Sequence, residues 1–237
     1  MSQPLSTPER EIAARLAAVR ERIAAAEQRF GRAAGSVRLL AVSKVQPATA
    51  IAAAYAAGQH AFGESYVQEA IDKQSRLTGL LLEWHFIGRI QSNKTRDIAA
   101  GFDWVHSLCD LKHARRLAAQ RPPERGPLRV CVQVDLSGEA TKAGLPPAAV
   151  AGFVDACDGI AGLVVEGLMT LPAPAAGLDA QRRPFAALRE LRDRLARPGR
   201  PLAMLSMGMS ADLEAAVAEG ATMVRIGTAV FGPRPPH

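Results

Sequence analysis

Aromatic residues make up only 5% of this 237-residue chain: two tryptophans, two tyrosines and seven phenylalanines. A surface for single-stranded nucleic acid stacks bases on interleaved aromatics, and here there is little to stack on. Cysteine is equally sparse. Cys109, Cys131 and Cys157 are too widely spaced for a disulfide framework or a metal knuckle, and small buried thiols are the plain reading. His60, His106 and His113 show no ligand spacing with carboxylates or cysteines, so no metal site is expected. No apolar run is long enough to span a bilayer, and the opening MSQPLSTPERE lacks the apolar stretch of a signal peptide. A cytoplasmic protein with no membrane partner is the expectation.

Hydrophobic residues at 48% and charged residues at 22% give the balance of a globular chain. The formal charge of +6 raises the question of nucleic acid. The arginines are dispersed, however, and the densest group, at 182–200, lies on one amphipathic helix and the turn after it. That pattern reads as a solvated helix face. No nucleic-acid partner is expected, and a basic surface still helps attract a phosphorylated small molecule.

Eight strand-like runs recur, at residues 38–44, 60–64, 82–88, 104–109, 129–136, 163–171, 202–207 and 223–227. Alanine-rich stretches of helical spacing separate them, at 48–57, 67–77, 111–120, 147–157, 180–195 and 211–219. Eight alternations of strand and helix close a parallel barrel, so the fold class is α/β, a (β/α)8 TIM barrel. The length suits one such domain over 1–237 and leaves almost nothing for a second. An extra helix precedes strand one, with Thr7 as cap, Pro8 in its first turn, and Ile12, Leu16, Val19 and Ile23 as one apolar stripe. Gly58 and Gly220 suit left-handed C-caps. Segments 121–127 and 172–177 read as loops, as does the proline-rich end 232–237.

In such a barrel the chemistry belongs at the carboxyl ends of the strands, and phosphate favours the loops after strands seven and eight. Strand one, RLLAVSK, is apolar until it ends in Lys44. A lysine so placed either carries a lowered pKa and attacks a carbonyl as an amine, or snorkels its head out of the barrel mouth. Strand seven runs into Ser206-Met207-Gly208-Met209-Ser210, where a helix is expected to start, and strand eight into Gly227-Thr228. Small hydroxyl- and glycine-bearing junctions let backbone N–H groups approach an anion, although ordinary βα turns look similar. Arg225 interrupts an apolar strand and needs a specific partner. A pyridine nitrogen is one, and a carboxylate on a neighbouring strand, Glu166 or Glu64, is another. A lysine facing a phosphate cup suits a phosphorylated sugar or pyridoxal phosphate.

The chain resembles the YggS/PROSC family of pyridoxal phosphate homeostasis proteins, related to the barrel domain of alanine racemases. The matching stretches are LLAVSK around Lys44, HAFGESYVQEA at 60–70, EWHFIGRIQSNKT at 83–95, VHSLC at 105–109 and EGLMTL at 166–171. The most specific is LSMGMSADLEAAVAEGATMVRIGTAVFG at 205–232. The resemblance implies that Lys44 holds pyridoxal 5′-phosphate as an aldimine and that Arg225 partners the ring nitrogen. It also implies a phosphate cup of Ser206, Gly208, Gly227 and Thr228, with Met207 offering backbone contacts. Two positions depart from the family pattern. Ser65 stands where the family has asparagine, which puts that amide's contact in doubt, and Arg89 adds charge near the mouth.

Among the remaining candidates, His85 in strand three is either a general base or a core histidine, and Met169 packs beside the cofactor ring. Lys94 either reaches an anionic ligand or is a solvated loop lysine. Racemisation needs a second acid–base group, which alanine racemases take from a second domain. This chain stops ten residues after Gly227. An arginine at the ring nitrogen also disfavours ring protonation and weakens the electron sink. The expectation is a monomeric carrier that buffers the cofactor and delivers it to apo-enzymes, not a dedicated enzyme. The alternative is a racemase or lyase of low activity.

Overall fold

The computed structural model describes residues 7–137 and 143–233. Helix α1 (Thr7–Arg29) precedes β1 (Arg38–Val42), α2 (Ala48–Ala56), β2 (Ala61–Glu64), α3 (Val67–Arg76), β3 (Glu83–Phe86), α4 (Thr95–Gly101), β4 (Trp104–Leu108) and α5 (Leu111–Ala119). The second half continues with β5 (Leu128–Gln133), α6 (Pro147–Asp158), β6 (Leu163–Met169), α7 (Leu178–Leu195), β7 (Met204–Ser206), α8 (Leu213–Ala218), β8 (Met223–Ile226) and α9 (Thr228–Phe231). Each strand pairs in parallel with the next, and β8 pairs with β1, closing the barrel that the eight alternations predict.

Alternation along the strands sorts side chains into two layers. Leu40, Ala61, Trp104, Cys131, Met169, Met204 and Met223 face inward as one buried cluster. Their outward neighbours, such as Leu39, Phe62, Phe86, Val105, Val130, Leu168 and Val224, join the apolar faces of the surrounding helices. Each large side chain buried this way contributes about 1.5–3 kcal/mol.

Helix α1 buries the predicted stripe Ile12, Leu16, Val19 and Ile23. It also fastens the two ends of the barrel. Arg20 donates to the carbonyls of Ala57 and Gly58 after α2, at 2.9 and 2.8 Å. Arg22 forks onto Glu214 at 2.6 Å and donates to the Ser210 carbonyl at 2.8 Å. Arg15 reaches the carbonyl of Phe231. Gly58 and Gly220 take positive φ, 82° and 91°, and end α2 and α8 as expected.

The departures from expectation are local. A single helical turn over Ser92–Lys94, where Lys94 reads as a loop lysine, leads into α4; its buried apolar residues, Ile98 and Ala99, are too few to announce it in the sequence. Short α9 forms over Thr228–Phe231, where the sequence after strand eight reads as a turn at 229–232. A 3₁₀ turn, Pro123–Arg125, forms inside the expected loop 121–127. Helix α8 starts at Leu213 rather than Ser210, because the Asp212 carboxylate accepts the Met209 N–H at 2.6 Å and closes a turn first. Of the proline-rich end, 234–237 lies outside the described residues. No described helix is long and apolar enough to cross a membrane.

Candidate functional site

The carboxyl ends of the strands enclose a cavity of about 350 Å³. Val42 and Lys44 come to it from β1, Ser65 from the end of β2 and Ile87 from the end of β3. Met169 and Leu171 line it from β6, and Met209, Ser210 and Ala211 from the loop after β7. Arg225, Gly227, Thr228 and Gly232 line it from β8 onward, and Gln46 stands beside Lys44. Six of the ten side chains singled out from the sequence therefore meet at one place: Lys44, Ser65, Met169, Arg225, Gly227 and Thr228.

The other four lie behind its wall. Ser206 is fully buried, with its Oγ accepting from Arg225 Nη1 at 2.8 Å. Met207 packs into the outer apolar layer, and its N–H is bonded to the Met223 carbonyl. Gly208 is buried at φ 94°, where a Cβ would press to 2.5 Å from that of Ala216 on α8. His85 is fully buried in the barrel interior, stacked on Trp104 with ring centroids 5.7 Å apart. Strand parity explains the division: a residue at a strand end can face the mouth, the barrel floor or the helices, and spacing alone does not say which.

Lys44 sits on a loop under unusual constraint. The next residue, Val45, has φ 65°, a left-handed conformation that a β-branched side chain rarely takes and that costs on the order of 1–3 kcal/mol. Its N–H donates to Glu69 Oε1 at 2.6 Å, which holds the conformation in place. Lys73, only 4% exposed, donates to the Ser43 carbonyl and to Glu64 Oε1, each at 2.8 Å, and also pairs with Glu69. Ser43 Oγ donates to the same Glu64 oxygen at 2.6 Å. Burial raises the Glu64 pKa, opposed by Lys73 and the Ser43 hydroxyl. Both neighbours of Lys44 are thus tied to one buried charge cluster. Sequence reading missed Lys73, because Glu69 and Lys73 one turn apart look like an ordinary surface pair.

Arg225 is 5% exposed. Its Nη2 donates to the Thr170 carbonyl at 2.9 Å, and burial pulls its pKa down to about 10. Neither Glu166 nor Glu64 is its partner: Glu64 faces α3 and pairs with Lys73. The carboxylate whose charge acts on Arg225 is instead Asp212, in the loop after β7. Ser210, half-buried in the wall, is the hydroxyl after β7 that does reach the cavity. Lys94 lies outside the lining, with Nζ 3.4 Å from Gln68. Arg89 is exposed.

Comparison with known proteins places this arrangement. Residues 14–235 match the family model described as the alanine racemase N-terminal domain. The pyridoxal phosphate homeostasis protein of Pseudomonas aeruginosa is 53% identical over 94% of this chain and 96% of its own length. That of Vibrio cholerae is 47% identical over 90% of this chain and 92% of its own. The structure of PipY from Synechococcus elongatus with pyridoxal phosphate bound superposes with a TM-score of 0.80 at 40% identity, covering 93% of this chain and all of PipY.

Proposed function

Because the chain belongs to the family of pyridoxal phosphate homeostasis proteins built on the alanine racemase N-terminal barrel, we propose that its cavity holds pyridoxal 5′-phosphate. One observation carries the reading: a single cavity joins Lys44 at the end of β1 to Arg225 on β8, with Gly227 and Thr228 beside them. The residues fit the group. Arg225 is a buried cation that spends two of its five donors on Ser206 and Thr170, which leaves donors for a ring acceptor. Gly227 keeps the wall thin, since a Cβ there would stand 3.2 Å from the Val42 carbonyl.

When bound, pyridoxal phosphate supplies an aldehyde, an electron-drawing ring and a phosphate dianion. Lys44 provides the amine that meets the aldehyde, and Arg225 donates to the ring nitrogen. The hydroxyls of Ser210 and Thr228 and the backbone at Gly227 receive the phosphate, while Met169 and Ile87 pack on the ring. Ser65 offers one hydrogen bond from the second strand. Ser206 serves the site through Arg225, and Met207, Gly208 and His85 support the wall from behind.

The role is to hold, buffer and hand on the cofactor to apo-enzymes. Among the described residues lining the cavity, Lys44 and Arg225 carry the only ionisable side chains. Stereochemical turnover needs an acid or base on each face of the reacting carbon, and the lining offers no second one. Borohydride reduction of the loaded protein followed by peptide mapping is expected to place the pyridoxyl group on Lys44. A label on Lys94 instead would overturn the assignment, and steady turnover of an added amino acid would overturn the carrier role.

A further inference from the structure

A continuous line of polar groups runs down the barrel from the cavity to its floor. Arg225 Nη1 donates to Ser206 Oγ at 2.8 Å. That oxygen lies 2.8 Å from His106 Nδ1, and His106 Nε2 lies 2.8 Å from His85 Nδ1. His85 Nε2 faces Glu83 Oε2 at 3.5 Å and makes no hydrogen bond. Glu83 also accepts from Trp104 Nε1 at 2.8 Å and pairs with Arg38, whose side chain is 48% exposed at the amino-terminal end of β1.

One arrangement of protons satisfies the three hydrogen bonds and directs the last N–H at Glu83. A guanidinium only donates, so Ser206 Oγ accepts from Arg225 and its own proton goes to His106 Nδ1. His106 then carries its proton on Nε2 and donates to His85 Nδ1. His85 in turn carries its proton on Nε2, directed at a carboxylate. The reverse order leaves the serine proton without an acceptor and sets a bare imidazole nitrogen against a carboxylate. Both rings are neutral in this scheme, as full burial favours. A cation stands at the top of the chain and an anion at the bottom, with three neutral groups polarised between them.

We propose that Glu83 on the barrel floor orients this chain, with Ser206, His106 and His85 as positioning residues that fix the direction of the Arg225 donors. The carboxylate whose charge acts directly on Arg225 is Asp212, after β7. The ligand end of the proposal rests on the pyridoxal phosphate reading; the interior chain does not. A positioning chain of this kind fixes the direction of the Arg225 donors from a place the ligand never touches.

Two measurements test it. Nitrogen-15 imidazole spectra of the unsubstituted, ligand-free protein are expected to show His85 and His106 neutral at pH 7, each with its proton on Nε2. A proton on Nδ1 of either ring, or a doubly protonated ring, overturns the chain whatever the ligand is. The second measurement is pyridoxal phosphate affinity and absorption in Glu83→Gln, Ser206→Ala and the double variant. Glu83→Gln is expected to weaken binding about fivefold, the difference between a charge-assisted and a neutral hydrogen bond, and to move the absorption band. In the Ser206→Ala background the same change is expected to do nothing further, because the link is already cut. Additive losses would mean that Glu83 acts only on the barrel as a whole, and would sink the relay. Variants that fail to fold leave the spectra of the parent protein to decide. Expected tautomers in a parent that does not bind pyridoxal phosphate would overturn the cofactor reading and leave the chain standing.

Discussion

Lys44 and Arg225 both line the cavity, and their surroundings differ. Lys44 stands on a loop beside a buried charge cluster, whereas Arg225 is enclosed and hydrogen-bonded to Ser206 and Thr170. In the proposed binding mode a permanent donor stands at the ring nitrogen, which would keep the ring unprotonated and a poor support for a carbanion. Arg225→Glu places an acceptor there instead. Proton exchange at the α-carbon of an added amino acid is expected to become faster in that variant than in the parent. Folding is checked first, since a buried carboxylate without a partner is costly. Unchanged or slower exchange with the cofactor bound would show that Arg225 does not restrain carbanion chemistry as proposed. At the phosphate end, Gly227→Val is expected to weaken pyridoxal phosphate more than pyridoxal in binding titrations. Equal losses would reduce the glycine to a packing role.

At the level of elements, the strands were legible because a strand buried on both faces reads as a continuous apolar run, as in LLAV at 39–42. Helices α4 and α9 were not, since seven and four residues give too little periodicity to read. Lys44, Arg225 and the β8 junction could be located from chemistry and position in the chain. Ser206 could be located only as a strand-end hydroxyl. Its place under Arg225 follows from how β7 sits against β8, where Ser206 is level with Met223, and no local pattern carries that register. The Ser43–Glu64–Lys73–Glu69 cluster joins β1, β2 and α3, so it too exists only in the folded molecule. Lys73→Met strands Glu64 in the core and is expected to cost about 3–5 kcal/mol in urea unfolding. Replacing Glu64 with leucine in the same chain is expected to recover most of that loss. If the single and double variants are equally unstable, the cluster is not a paired-charge unit.

Across the whole molecule, the +6 charge has a structural use. Arg20, Arg32 and Arg121 donate to carbonyls at the ends of α2, α8 and α4, where the helix dipole favours a cation. Basicity here closes helices. The buried histidines make stability depend on pH on the acid side of neutrality. Burial lowers the pKa of His85 and His106 in the folded state, while unfolded histidine titrates near pH ~6.5. Below that pH the unfolded chain binds protons the folded one refuses, so stability is full above it and falls as pH drops toward the folded pKa. Two such groups give a slope of up to about 2.7 kcal/mol per pH unit. Urea unfolding at pH 7, 6 and 5 is expected to show it, and His106→Asn to lower it by about half. A profile unchanged by that substitution would mean that His106 is protonated in the barrel. The cavity has one more consequence, for synthesis. Lys44 stands at the end of the first strand and Arg225 on the last, and α1 fastens the two ends through Arg15, Arg20 and Arg22. A ribosome-bound chain that has made seven units owns the lysine but not the pocket, so capture of the ligand marks the moment when the circle of strands is complete.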